Sequence, residues 1–422
     1  MPRLAAVLLT LALTASSFAA TRMTYDINGA PTPIEWAPTA FPLRYEIDQR
    51  LAQVHPNATA MVERAFAAWA AVPSTNVRFE GAGIVSKLAT GPERIAVSLA
   101  DDLLSDSGAA AITTYTYDTK TGRMTDADIY VDKNIFAGNF NAQLAIQHEV
   151  GHVLGLDHSA VLSSVMYPYL GSDETPADFD YDDRIAIATM YPKGDPTLDG
   201  ATLSGRVLGD GGGIFAAQVV VVNEQGQPLG TVLTDPAGEF AISGIPAGRY
   251  RLYAEPLDGP VNVEALQGTW RAAKLNSFST EFFSEDFVEV ENGKVYGNLV
   301  LTTAGAVQLN PKWIGVAEAG RPDFSLSTAP ATVRPGQTIN VIVGGDGFTS
   351  SMTTFEILNP AFRRITDFVW ADNYVRATYV VEAAAPASSA VILVKSGRES
   401  AALTGALRVY RPSGSRNRAV RH

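Results

Sequence analysis

The sequence predicts a multidomain protein: an α/β domain over residues 33–193, then two all-β sandwich domains at 201–305 and 321–412. Three observations carry this. Helical apolar spacing marks three segments before residue 193, whereas beyond about 200 the chain breaks into short apolar or alternating runs between Gly and Pro turns. A chain of 422 residues is too long for one compact core. And three of the five histidines fall in one stretch, "HEVGHVLGLDH", His148 to His158.

Composition narrows the classes. Apolar residues make up 46% and charged residues only 18%, with 36 Gly and 24 Pro, as in a soluble, loop-rich, β-leaning chain rather than a disordered one. A net charge of −12 disfavours nucleic acid or an anionic membrane as partner. The absence of cysteine excludes disulfides, thiolate metal sites and cysteine nucleophiles. "MPRLAAVLLTLALTASSFAA" reads as a signal peptide over residues 1–20, with Arg3, an apolar run and small residues that place cleavage near 19–20. No second run of that length follows, so the mature chain is expected to be exported, without an integral membrane anchor. The basic residues 413–422 read as a solvated tail.

Residues 21–32 form a Pro-containing lead. "FPLRYEID" reads as a strand. "HPNATAMVERAFAAWAAVP" reads as a helix, capped by Asn57, with Met61, Ala65, Phe66 and Trp69 on one face and Pro73 as its stop. "NVRFEG" and "RIAVSLAD" are further strands, and "AITTYTYDTKTGRMTDADIYVD" a hairpin turning near Gly122. "NAQLAIQHEVGHVLGL" is a second helix with Gly155 at its C-terminal cap, and "DYDDRIAIATMYP" a short third. Linkers at 194–200 and 306–320 separate the α/β domain and the two sandwiches, in which "AQVVVVN", "YRLYAE" and "SAVILVKSG" have the look of core strands.

On a helix, His148 and His152 are four residues apart and share a face, so both imidazoles can reach one Zn²⁺ at about 2.0–2.1 Å. Glu149 lies roughly 100° further round, beside the metal without being aimed at it. Gly155 permits a sharp reversal that brings in His158 as third ligand. Three protein ligands leave zinc a free position, which is the catalytic rather than the structural arrangement. Glu149 would take a proton from water attacking a peptide carbon and pass it to the leaving nitrogen. The five fixed positions of HExxHxxGxxH arise by chance in on the order of one chain in 10⁵.

The segment resembles the metzincin pattern, with "SVMYP" supplying the methionine turn at Met166. "HEVGHVLGLDHS", "SVMYP" and the later "YDDRIAIATMYP" are most similar to matrixins, the matrix-metalloprotease type, over about residues 33–193. The resemblance implies an α/β zinc endopeptidase fold with a twisted mixed sheet and three helices. It implies His148, His152 and His158 as metal ligands, Glu149 as base, Met166 as packing beneath the metal, and Tyr167 and Pro168 beside a substrate pocket. It also makes "AITTYTYD" the edge strand for a protein or peptide substrate.

The departures are specific. No histidines remain for a second, structural zinc, and Tyr130 stands about where one would fall, so one zinc is expected. Asp128 and Asp132 are candidate Ca²⁺ ligands. Without cysteine no thiolate can hold the enzyme latent, and Asp26 is a candidate for occupying the zinc instead. "SGRVLG" through "RYRLYAE" is similar to the carboxypeptidase regulatory-like sandwich, and "VRPGQTINVIVGGDGF" to an immunoglobulin-type module of the IPT/TIG sort. Neither implies chemistry: they read as spacers or as modules for a surface or carbohydrate ligand. The competing function is an inactive metalloprotease-like adhesin acting through its sandwiches, against which all four motif residues stand intact.

Overall fold

The computed structural model describes residues 21–411, apart from 28–29, 90, 93, 102, 105–107, 139, 172–176, 195–199, 275–276, 285, 322–323 and 350. The expected signal peptide, the basic tail and most of the 194–200 linker lie outside the described residues. The elements that follow are few helices and many strands in several sheets, as expected for an α/β domain joined to β sandwiches.

The first part contains a hairpin of β1 (Thr24–Ile27) and β2 (Ala30–Pro33), then β3 (Leu43–Asp48), α1 (Gln49–Val54), α2 (Ala58–Ala70), β4 (Phe79–Val85), β5 (Arg94–Leu99), β6 (Ala111–Tyr117), β7 (Met124–Val131), α3 (Ala142–Val153) and α4 (Tyr181–Met190). The five-stranded sheet has the order β4-β3-β5-β7-β6, parallel except for β6, which runs antiparallel at the edge. Its hairpin turns through Gly122, at φ 72°. Helix α2 buries Val62, Ala65, Phe66 and Trp69, with Phe66 stacked on Tyr45 of β3 at 4.1 Å. The Trp69 indole donates to the Gln147 carbonyl of α3 at 2.8 Å, which ties the two helices together.

Three expectations change here. Asn57 holds the N-cap position of α2 but its side chain makes no capping bond. With φ −101° and ψ 2° it lacks the extended geometry that turns a cap side chain toward the helix, and its own N–H donates to His55 Nδ1. Helix α1 leaves no mark in the sequence, because six residues burying only Leu51 show no helical period. Residues 21–27 and 30–33 are not a loose lead. Met23 is fully buried and donates to the Gly155 carbonyl at 3.0 Å, while Arg22 is buried beside Glu35 at 3.8 Å. Asp26 lies exposed on β1 opposite Pro31 and does not line the histidine cavity, so it does not take the metal's place here.

The second part packs one sheet of Gln218–Asn223, Pro228–Leu233, Gly248–Glu255, Glu281–Phe282 and Val288–Val290 against another of Ala201–Gly209, Gly212–Gly213, Glu239–Ile245 and Val295–Thr302. The third does the same with two sheets, built around Thr338–Asp346 and Tyr374–Val381 on one side and Ser388–Ser396 and Glu399–Val409 on the other. Residues expected in a 306–320 linker instead include a strand, Asn310–Glu318, paired along Thr338–Asp346 in the third part. Pro311 sits at a register shift, where a ladder tolerates proline.

The unbroken "VVVV" run of Gln218–Asn223 has a physical cause. Val219 and Val221 enter their own sandwich core, while Val220 and Val222 meet Val391 and Leu393 of the third part. Both faces are buried, so no alternation is visible. Glu255 lies in this junction, accepting from Gln218 Nε2 at 3.0 Å and Thr404 Oγ1 at 2.7 Å, and burial pushes its carboxyl up to about 8. A folded-state value above the unfolded one means the folded chain holds the extra proton. The contribution is therefore complete at acid pH and is lost as pH rises through about 8. Glu255→Gln should raise the melting temperature by roughly 2 °C or more at pH 8.5 and change it little at pH 5. Calorimetry at the two pH values checks this, and an equal shift at both would contradict it.

Candidate active site

Helix α3 begins at Asn141, whose side chain accepts from the Leu144 N–H at 3.2 Å, and ends in a tight reversal. Gly155 has φ 93° and donates to the His152 carbonyl at 2.9 Å, while Leu156 donates to Gly151 at 3.1 Å. These are the two bonds of a Schellman end, which only a residue free to adopt positive φ completes cheaply. A Cβ at Gly155 would also meet the Ile34 carbonyl at 2.4 Å. Asp157 N–H then donates to Thr21, and the chain delivers His158.

The reversal brings the three imidazoles together. Ring centroids of His148, His152 and His158 lie 4.6, 5.2 and 4.9 Å apart, and one nitrogen from each falls within 4.8 Å of the others. Each Nδ1 faces a backbone carbonyl: Val165 at 2.8 Å, Leu156 at 2.8 Å, and Ala265 for His158. A carbonyl can only accept, so Nδ1 carries the proton and Nε2 keeps its lone pair for a cation. Burial holds all three pKa values below the usual histidine range, helped for His148 and His152 by the neighbouring rings, with His148 at about 3, so the rings are neutral at pH 7. Neutral, buried, convergent imidazoles are the donor set that suits Zn²⁺. Among the described residues this triad is the group of three or more His, Cys, Asp or Glu placed to hold a metal.

Glu149 is buried beside the triad. Its carboxylate accepts from Thr113 Oγ1 of β6 at 2.7 Å, and burial, partly offset by that bond, pushes its pKa up to about 7. A cavity of about 850 Å³ opens over these groups, lined by Ala109–Thr113 along the edge strand, by Tyr167 and Pro168, and by Gln267 and Thr328 from the other two parts. Asp128 accepts from the Ala96 N–H at 2.8 Å and Asp132 from the Asn134 N–H at 2.6 Å, so the two candidate calcium ligands each serve a local backbone.

Two structural residues escaped the sequence reading. Gly151, in mid-helix, has no room for a Cβ, which would lie 2.2 Å from Met166 Sδ, so the methionine packs directly under α3. Asp183 clamps the methionine turn to α4. It accepts from Ser164 Oγ at 2.5 Å, from the N–H of Val165 at 3.0 Å and Met166 at 3.3 Å, and from Asp180 N–H at 2.9 Å as half of a capping box. The "DYDD" spacing was the available signal for that box.

The family model described as "Matrixin" matches residues 35–192, and that described as "Carboxypeptidase regulatory-like domain" matches residues 202–262. The chain carries a matrixin domain. It is similar to the metalloendoproteinase 2-MMP of Arabidopsis thaliana, 40% identical over 55 residues, which is 13% of this chain and only 14% of that protein's length. Among solved structures, the major pilin subunit of Bacillus cereus matches at 11% identity and a TM-score of 0.16, over 48% of this chain and 66% of that one. The Dpr2 Ig1–Ig2 complex with DIP-Theta matches at 8% identity and 0.14, over 49% and 61%. Superpositions that poor decide nothing about fold or function.

Within the matrixin domain, Asp183→Ala strands two buried N–H groups and a hydroxyl at the base of the site, at about 1–3 kcal/mol each before relaxation. It should lower unfolding stability by about 2 kcal/mol or more, read from chemical denaturation. A loss below about 0.5 kcal/mol would show that the clamp does little.

Proposed function

We propose that the protein is an exported zinc endopeptidase in which His148, His152 and His158 hold one Zn²⁺ and Glu149 acts as general base. The observation that carries this reading is the convergence of three neutral imidazoles, with Nδ1 occupied, beside a buried carboxylate in a cleft bounded by a sheet edge. When bound, zinc supplies a Lewis acid that polarises a carbonyl and acidifies water.

The chain's own groups supply the rest. Edge strand β6 offers its outer backbone to an extended peptide, which would lie across the histidines as an added strand. Thr113 fixes the Glu149 carboxylate through one oxygen, leaving the other to take the proton of the attacking water and return it to the departing amine. A carboxylate whose pKa is raised toward neutrality by burial is suited to both halves of that transfer. Tyr167 donates to the Thr328 carbonyl, so its ring is fixed as a wall of the cavity rather than free to swing toward the metal. Export rests on the N-terminal sequence. No helix among the described residues is long and apolar enough to cross a membrane. The inactive-adhesin alternative has no feature of this site in its favour.

Cleavage of casein by the purified chain tests the proposal. Glu149→Gln should lower the rate by about 10²–10⁴-fold while one zinc per chain remains, and a chelator should abolish activity until zinc is restored. Full activity in Glu149→Gln, or after chelation, would sink the mechanism.

A further inference from the structure

Two of the three histidines are oriented from within the matrixin domain, through Val165 and Leu156. The third is not. Its Nδ1 faces the carbonyl of Ala265, 107 residues downstream, in an excursion between the second part's strands Gly248–Glu255 and Glu281–Phe282. We propose that this excursion, residues 257–273, is a built-in component of the zinc site, with Ala265 as the positioning residue for His158. The inference rests on the reading of the triad as a zinc site and deepens it.

The excursion is folded rather than draped. Asn262 caps a short 3₁₀ turn at Val263–Ala265, accepting from Glu264 N–H at 2.9 Å, and Ala265 N–H returns to the Asn262 carbonyl at 3.0 Å. Val263, Leu266 and Trp270 are buried with Leu257 and Leu233 in a small apolar cluster of their own. That cluster is fastened to the first part of the chain at three further points. Gln267 N–H donates to Asp157 Oδ2 at 2.8 Å, while Oδ1 of the same carboxylate accepts from His158 N–H at 2.8 Å. Tyr115 Oη donates to Gln267 Oε1 at 2.8 Å, at the end of the edge strand. The Trp270 indole donates to the Arg22 carbonyl at 2.9 Å. Gly268, at φ 57°, lies so close to β1 that a Cβ would stand 1.6 Å from the Thr24 carbonyl.

The consequence is directional. An acceptor on Nδ1 fixes the tautomer and ring orientation of a metal-ligating histidine, and losing it costs typically 10–100-fold in metal affinity. The first sandwich is therefore no passive spacer: displacing its excursion should loosen the zinc while leaving the His148–His152 helix intact.

The test measures zinc affinity of the full chain against a chromophoric chelator, together with the visible spectrum of the cobalt-substituted protein. Gly268→Ala should push the excursion off β1, and a second variant replacing residues 263–268 by alternating Gly and Ser removes the Ala265 carbonyl from its place. Gly205→Ala is the control: a Cβ there would meet the Leu299 carbonyl at 1.7 Å, straining the same sandwich in the sheet that does not carry the excursion. Zinc affinity should fall 10–100-fold in the first two, with an altered cobalt spectrum, and stay at the wild-type value in the control. Wild-type affinity in a folded loop-replacement variant overturns the proposal, as does an equal loss in Gly205→Ala. A wild-type chain that binds no zinc would instead overturn the reading of the triad itself.

Discussion

His158 can join His148 and His152 around one cation only if the chain reverses immediately after the helix that carries the other two. Everything near the site serves that reversal. Gly155 makes it through positive φ, the buried Met23 and Thr21 bind its outer edge, and Asp157 ties the next peptide to a segment from another part of the chain. An alanine at 155 would be strained in φ and would strike the Ile34 carbonyl, so the position is closed twice over.

The ground under the reversal is polar as well as apolar. Met166 fills the space left by Gly151, yet the turn that holds Met166 hangs from Asp183 of α4. Its neighbour Asp182 accepts from Ser159 Oγ at 2.9 Å and from both the N–H and Oγ1 of Thr231, in the second part, at 3.0 and 2.9 Å. One short helix start thus holds the methionine turn, the segment after His158 and the adjoining sandwich. Burial raises Asp182 to about 7 and Asp183 to about 6, costs that their dense hydrogen bonding partly offsets.

The appended parts meet the catalytic one where its surface would otherwise be open. Leu162 donates to the Thr404 carbonyl at 2.8 Å, Tyr167 to Thr328, and Gln267 reaches both Asp157 and Tyr115. Gln267 and Thr328 line the same cavity as the histidines. A substrate entering that cavity meets side chains from all three parts, which makes the cleft a property of the assembled chain.

The local grammar of the sequence was enough to announce the site. HExxH on a helix, a glycine three residues on and a third histidine place three imidazoles, a carboxylate and a reversal together through nearest-neighbour geometry, and the hairpin at Gly122 and the α4 boundary are equally local. What the sequence could not show depends on contacts distant in the chain. Asn57 holds the N-cap position yet makes no side-chain cap bond, because its backbone conformation, not its chemistry, decides whether that bond forms. The strand Asn310–Glu318 was hidden because a ladder partner, rather than its own residues, makes it a strand. Gly151 and Asp183 gained meaning only once Met166 was packed against them. And nothing in "VEALQGTW" announces that its carbonyl will face His158, 107 positions earlier, since any residue carries that acceptor and only the tertiary structure decides where it points.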